Sequence, residues 1–128
     1  MTPKKRSIEE GASRQLALQI AQIALDKKGE AITVLDVRQI SQFAHYLVLI
    51  NGQVEQHLKA IANHISDTLK EDGIRPHHTE GLDNLQWILI DYLNVLVNIF
   101  MPEVRHFYDL EALWGEGEKV ELPFVTGD

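Results

Sequence analysis

The residues that could do chemistry are histidines, carboxylates, serines and one glycine turn. Of the six histidines, the densest group is His77-His78 with Glu80. Neighbouring residues on an extended chain point to opposite sides, so His77 and His78 do not readily share one metal ion. His57 and His64 are two helical turns apart, about 10 Å at 1.5 Å per residue, too far for one ion without other ligands. No H-E-x-x-H is present, and surface histidines are the expectation. The Asn51-Gly52 turn stands between a predicted strand and a predicted helix, where it could hold a phosphate. Nucleotidyl-transferring enzymes add paired carboxylates on a strand to hold metal ions. Here Asp36 and Asp91 each stand alone, so Gly52 reads as a backbone requirement. Ser7, Ser13, Ser41 and Ser66 lack a nucleophile-elbow context. There is no Walker loop, no G-x-G-x-x-G and no cysteine. The expectation is a binding protein without metal or cofactor, not an enzyme.

Charge narrows the partner. The 128 residues carry a net charge of −7, distributed unevenly. Residues 1–28 hold six bases and three acids, whereas residues 29–128 hold six bases and sixteen acids. A body that acidic repels phosphate backbones, so little or no direct nucleic-acid contact is expected. The same field attracts a basic protein, although acidity can also serve solubility alone. Apolar residues make up 45% of the chain, enough for one core. The longest apolar run, Tyr46 to Ile50, is too short to cross a bilayer. No apolar segment follows Lys4-Lys5-Arg6, so the expectation is a soluble cytoplasmic protein.

The elements that must position these residues follow from periodicity. Residues 1–10 read as a flexible basic arm, 11–115 as a single domain and 116–128 as a loosely held tail. A helix is predicted over 13–28, with Leu16, Ile20 and Ile23 on one side and Gly29 as its left-handed cap. Two buried strands follow, over 31–37 and 45–50. The strongest helical stripe is Val54, Leu58, Ile61, Ile65 and Leu69, closed by Gly73. Pro76 confines the piece from Ile74 to Thr79 to an edge. Strands over 86–92 and 95–101 enclose Leu93-Asn94, a two-residue turn for which leucine is a poor choice. Pro102 fits the first position of a short helix, and Asp109 caps another that Gly115 ends. This order gives an α/β (α+β) domain, a mixed β-sheet packed with helices.

The two-residue turn fixes which hairpin residues face each other. Tyr92, Ile90 and Ile88 face Val95, Val97 and Ile99, an apolar side that belongs on the helices. The other side sets Trp87 against Phe100, Leu89 against Asn98 and Asp91 against Leu96. That side is too polar for an ordinary core and too apolar for plain surface. It is either a binding face anchored by Trp87 or a half-buried face under the C-terminal segment.

The C-terminal half also carries family-like strings. These are Glu80-Gly81-Leu82, Trp87-x-x-x-Asp91-Tyr92, and Met101-Pro-Glu-Val-Arg105-x-Phe107-Tyr108-Asp109-Leu110-Glu111-x-Leu113-Trp114-Gly115. Upstream stand Val34-Leu35-Asp36-Val37 and Lys59-Ala60-Ile61-Ala62. From about Ser13 to Glu118 the chain resembles the ribosomal silencing factor family, also called the Iojap family. The resemblance implies a nucleotidyltransferase-like fold without the catalytic carboxylates. It implies binding to the large ribosomal subunit at the universal protein numbered fourteen, which blocks joining of the small subunit, chiefly under nutrient limitation. It also implies a homodimer when free. The partner-binding residues are then Trp87, Leu89, Asp91, Leu96, Asn98 and Phe100 on the hairpin, with Pro102, Glu103, Arg105 and Tyr108 after it. The family usually has Gly at the position of Leu93, a histidine at Asn98, and a hydroxyl residue where Val54 follows Gly52-Gln53.

Overall fold

Alternating strand patterns and two long helical stripes build a single mixed sheet with helices on it. The computed structural model describes residues 3–108 and 117–124, and the side chains of 11–106 and 117–124. In chain order the elements are α1 (Pro3–Asp26), β1 (Glu30–Asp36), β2 (Tyr46–Asn51), α2 (Glu55–Glu71), β3 (His78–Glu80), β4 (Trp87–Asp91), β5 (Val95–Phe100), α3 (Pro102–Tyr108) and β6 (Glu118–Lys119). The sheet order is β3-β4-β5-β2-β1-β6. Among the described strands only β2 and β5 pair in parallel, and the α2 connection between them makes that possible. The short strands β3 and β6 stand at the edges, where Pro76 and chain ends are tolerated.

Both faces of the central strands are apolar because both are covered. On one face Ile32, Val34, Val48, Ile50, Ile88, Ile90, Val97 and Ile99 pack with Ala17, Ile20, Leu58, Ile61 and Ile65 of α1 and α2. On the other, Leu35, Val37, Leu47, Leu49 and Phe100 form a second cluster with Ala44, Leu96 and Val104 of α3. This explains why β1 and β2 lack clean alternation. The strands expected over 86–92 and 95–101 are present as β4 and β5, and the hairpin register follows the two-residue turn from Trp87↔Phe100 to Asp91↔Leu96.

The differences from expectation have local causes. α1 begins at Pro3, so helical backbone extends into the segment expected as an arm. Its C-terminal cap is Lys28, at φ 62°, instead of Gly29. The N–H of Gly29 donates to the Ala24 carbonyl (2.8 Å) and that of Lys28 to Leu25 (2.8 Å), a Schellman pattern. Gly29 is needed for packing: a Cβ there would sit 2.9 Å from Ile50 Cγ2. Val54 is the N-cap of α2, exposed and without a side-chain cap, so it lies outside the buried stripe. His57 replaces part of the missing cap. Its Nδ1 accepts the Gln53 N–H (2.9 Å), and its Nε2–H donates to the Lys27 carbonyl (2.8 Å). The chain expected to hang loose after Glu116 is held in part. β6 pairs with β1, Val120 donates to Val34 (2.8 Å), and Val120 is buried with Leu122 and Phe124 packed on the core. The helix expected from Asp109 to Gly115 lies outside the described residues.

The hairpin turn carries strain. Leu93 has φ 71°, while Asn94 does not take a positive φ. The Asn94 N–H donates back to the Tyr92 carbonyl (3.0 Å), which makes Leu93 the centre of a γ-turn. This form is rare and strained for a residue with a Cβ. The Asp91 carboxylate accepts the Leu93 N–H (2.6 Å) and holds the turn. Leu93→Gly is expected to raise stability by about 1 kcal/mol, the strain relief exceeding the entropy glycine adds to the unfolded chain. Val54→Ser should add a similar amount through a new cap. Chemical denaturation checks both: the midpoint rises at unchanged slope, and a lower midpoint contradicts the assignment.

Candidate functional site: the outer face of the hairpin

Pairing across the sheet lines up the residues of the outer face. His78, Asp91, Leu96, Leu47 and Leu35 form one row, and Glu80, Leu89, Asn98, Leu49 and Thr33 the next. Trp87, Phe100 and Asn51 form a third. The rows are greasy and buried toward β1 and β2, where α3 lies, and become acidic and open toward β3.

The hairpin face is covered in one part and open in another. Phe100 is fully buried and Asn98 is 8% exposed, whereas Trp87 keeps 36% of its surface exposed. The Trp87 ring meets Phe100 edge-on, with centroids 6.1 Å apart and planes at 76°. Its indole N–H donates to Asn98 Oδ1 at 3.0 Å. Aromatic packing and this bond fix the ring on a rigid platform, half presented to solvent. Leu89 is half-buried next to it, and Asp91 and Leu96 are half-buried at the far end of the strand pair.

A groove of about 610 Å³ opens at Trp87, lined by Glu80, Gly81, Asn84, Gln86, Leu89 and Val104. Gly81 has φ 89°, and a Cβ on it would run into the Trp87 carbonyl. Only glycine lets the β3–β4 connection close against the tryptophan there. Glu80 pairs with His78 (2.7 Å) on the exposed edge strand. Glu80, Gly81 and His78 border this candidate face, although local pattern places them in a loop or on plain surface. Their signal was the i, i+2 spacing on a strand facing Leu89 and Asp91.

Of the residues after the hairpin, Pro102 and Glu103 are exposed. Arg105 is 7% exposed and is tied inward. Its guanidinium donates to the Ala31 carbonyl (2.8 Å), Asn51 Oδ1 (2.9 Å) and Thr33 Oγ1 (3.0 Å), and lies 5.6 Å from the Phe100 ring centre. Arg105, Asn98 and Phe100 thus lie buried beneath the face and hold it in place. The Tyr108 side chain lies outside the described residues.

Asp36, Asp91 and Gly52 are engaged in the structure. Arg38 grips Asp36 with two side-chain bonds, Nε to Oδ1 (2.9 Å) and Nη2 to Oδ2 (2.7 Å). These bonds hold the Asp36 carboxyl below its ordinary range, against the upward push of burial. Asp91 is occupied by the turn, at the opposite end of β4 from Trp87. Gly52 is required because a Cβ would strike Leu58 of α2. Among the described residues, no group of three or more His, Asp or Glu side chains could hold a metal ion.

The fold and face define a class: an α+β domain whose six-stranded mixed sheet presents a half-exposed tryptophan on its outer face. The family model described as "ribosomal silencing factor during starvation" matches residues 10–128. Ribosomal silencing factor RsfS of Bacillus subtilis is 38% identical over 108 residues, covering 84% of this chain and 92% of its own. RsfS of Halalkalibacterium halodurans is 37% identical over 114 residues, covering 88% and 97%. A crystal structure of a Chromobacterium violaceum protein superposes with a TM-score of 0.78 at 29% identity, covering 91% of this chain and 96% of that one. The chain belongs to the ribosomal silencing factor family.

A pH prediction follows from the Asp36–Arg38 fork. A lowered carboxyl pKa contributes stability above the ordinary aspartate range, and that stability is lost as pH falls through the folded value. Asp36→Asn should therefore lose less stability than the wild type between neutral pH and about pH 3. Denaturation midpoints across that range check it; parallel curves would remove the fork from the acid response.

Proposed function

We propose that this chain represses translation by docking on the large ribosomal subunit, at the universal protein numbered fourteen, and sterically blocking the small subunit. Family membership supports a ribosome-associated silencing role. The observation that carries the finer reading is the half-exposed Trp87, pinned by Asn98 and Phe100 at the mouth of a groove that Glu80 also lines. A fixed aromatic loses little freedom on binding, which suits it to be an interface anchor. Leu89 and Leu96 extend the apolar area, while Glu80, Asp91 and Glu103 suit a basic protein and set its orientation. The small number of bases near this face argues against a phosphate-backbone contact.

The relatives carry the names of silencing factors, which supports a regulator without catalytic activity. Asp36 and Asp91, the strand carboxylates a nucleotidyl-transferring reading would use, are both engaged elsewhere. Repression chiefly under nutrient limitation, a cytoplasmic bacterial setting and a homodimer in the free state complete the proposal. No helix among the described residues is long and apolar enough to cross a membrane.

Trp87→Ala is expected to weaken large-subunit binding by about 2 kcal/mol, roughly 30-fold, with the fold retained. Co-sedimentation with separated subunits measures it, and a subunit-joining assay should show matching loss of repression. Wild-type affinity should also fall as salt rises. Unchanged binding by the alanine variant would remove Trp87 from the site.

A further inference from the structure

At its open edge the hairpin face carries a histidine set between two acids. β3 is an edge strand, and among the described elements β4 is the one that packs substantially on it. On the outer face β3 presents His78 and Glu80, with Thr79 turned away between them. The His78 Nε2 lies 2.7 Å from Glu80 Oε1, and the two side chains are 53% and 63% exposed. Glu80 also lines the groove that opens at Trp87. Across the ladder His78 stands opposite Asp91, the one ionisable residue of β4. The Asp91 bond to the Leu93 N–H joins it to a neutral group, not to a cation. The imidazole therefore occupies the middle of the acidic edge, where a docked partner reaches it.

The geometry fixes where a proton can enter. An ionised carboxylate only accepts hydrogen bonds, so Nε2 carries a proton and donates to Glu80. That holds for the neutral ring and for the imidazolium alike. Proton uptake therefore takes place at Nδ1, and the Glu80 contact survives it. No backbone or side chain has to move; only the charge displayed by the edge changes. With the ring neutral, Glu80 and Asp91 face a partner as acids. With the ring protonated, a positive charge stands between them and offsets one of the two. Histidine is the side chain that makes this change between about pH 5 and 8. A cation at the edge repels a basic protein and competes with it for Glu80. Exposure keeps such an effect small in the free chain, but docking removes water from the edge and strengthens it.

We propose that His78 regulates the Trp87 face by its protonation, docking to a basic partner being tight while the ring is neutral and weaker once it takes up a proton. This rests on docking at the large subunit, as proposed above. The experiment is co-sedimentation of the full chain with isolated large subunits at about pH 7.5 and about pH 5.5, toward the two ends of the histidine range. The wild type is expected to bind about three- to tenfold more weakly at the lower pH. His78→Gln keeps an N–H donor for Glu80 but takes up no proton, so it should lose most of that difference and stay tight. His78→Lys, charged throughout, should bind weakly at both. All other histidines, in the chain and on the subunit, are the same in the three proteins, so the comparison isolates His78. Equal unfolding midpoints at each pH show that folding is not the cause. A wild type that binds equally at both pH values, a glutamine variant that keeps the full loss, or a lysine variant as tight as the wild type at the higher pH overturns the proposal and leaves docking standing. A wild type that binds the subunit at neither pH overturns docking, and the switch with it.

Discussion

The buried Arg105 guanidinium is the contact on which the outer face depends. A cation taken from water costs several kcal/mol unless its donors are met, and three partners, Ala31 and Thr33 of β1 and Asn51 of β2, meet them. Its placement clamps α3 across the open ends of β1 and β2. It also sets a cation over the Phe100 ring, and Phe100 in turn backs Trp87. The exposed indole is thus the last member of a chain of contacts that starts from a buried charge. The irregular pairing between Glu30 and Thr33, with Ala31 at φ 48°, turns the Ala31 carbonyl to the guanidinium. A strained residue in the first strand and a charge in the third helix therefore support one another, and both serve the hairpin.

The hairpin itself was legible because a strand has a strict period of two. Once the turn length was two residues, every pair from Trp87↔Phe100 to Asp91↔Leu96 was fixed, and with it the face. Turn chemistry was less legible. The residue pair Leu93-Asn94 suggested positive φ at asparagine, but the leucine takes it, because the Asp91 carboxylate and the Tyr92 carbonyl close a γ-turn around it. Helix caps failed for a similar reason. Gly29 looked like the cap by type, yet its neighbour Lys28 takes the left-handed geometry while Gly29 is kept small by Ile50.

What sequence could not show was long-range. Nothing local in Glu118 and Lys119 announces that they pair with β1, and nothing in Arg105 separates a buried clamp from an exposed partner contact. The same string of residues carries both meanings until the sheet brings Ala31, Thr33 and Asn51 to the guanidinium. Glu80 and His78 were readable only after β3 was known to pair with β4.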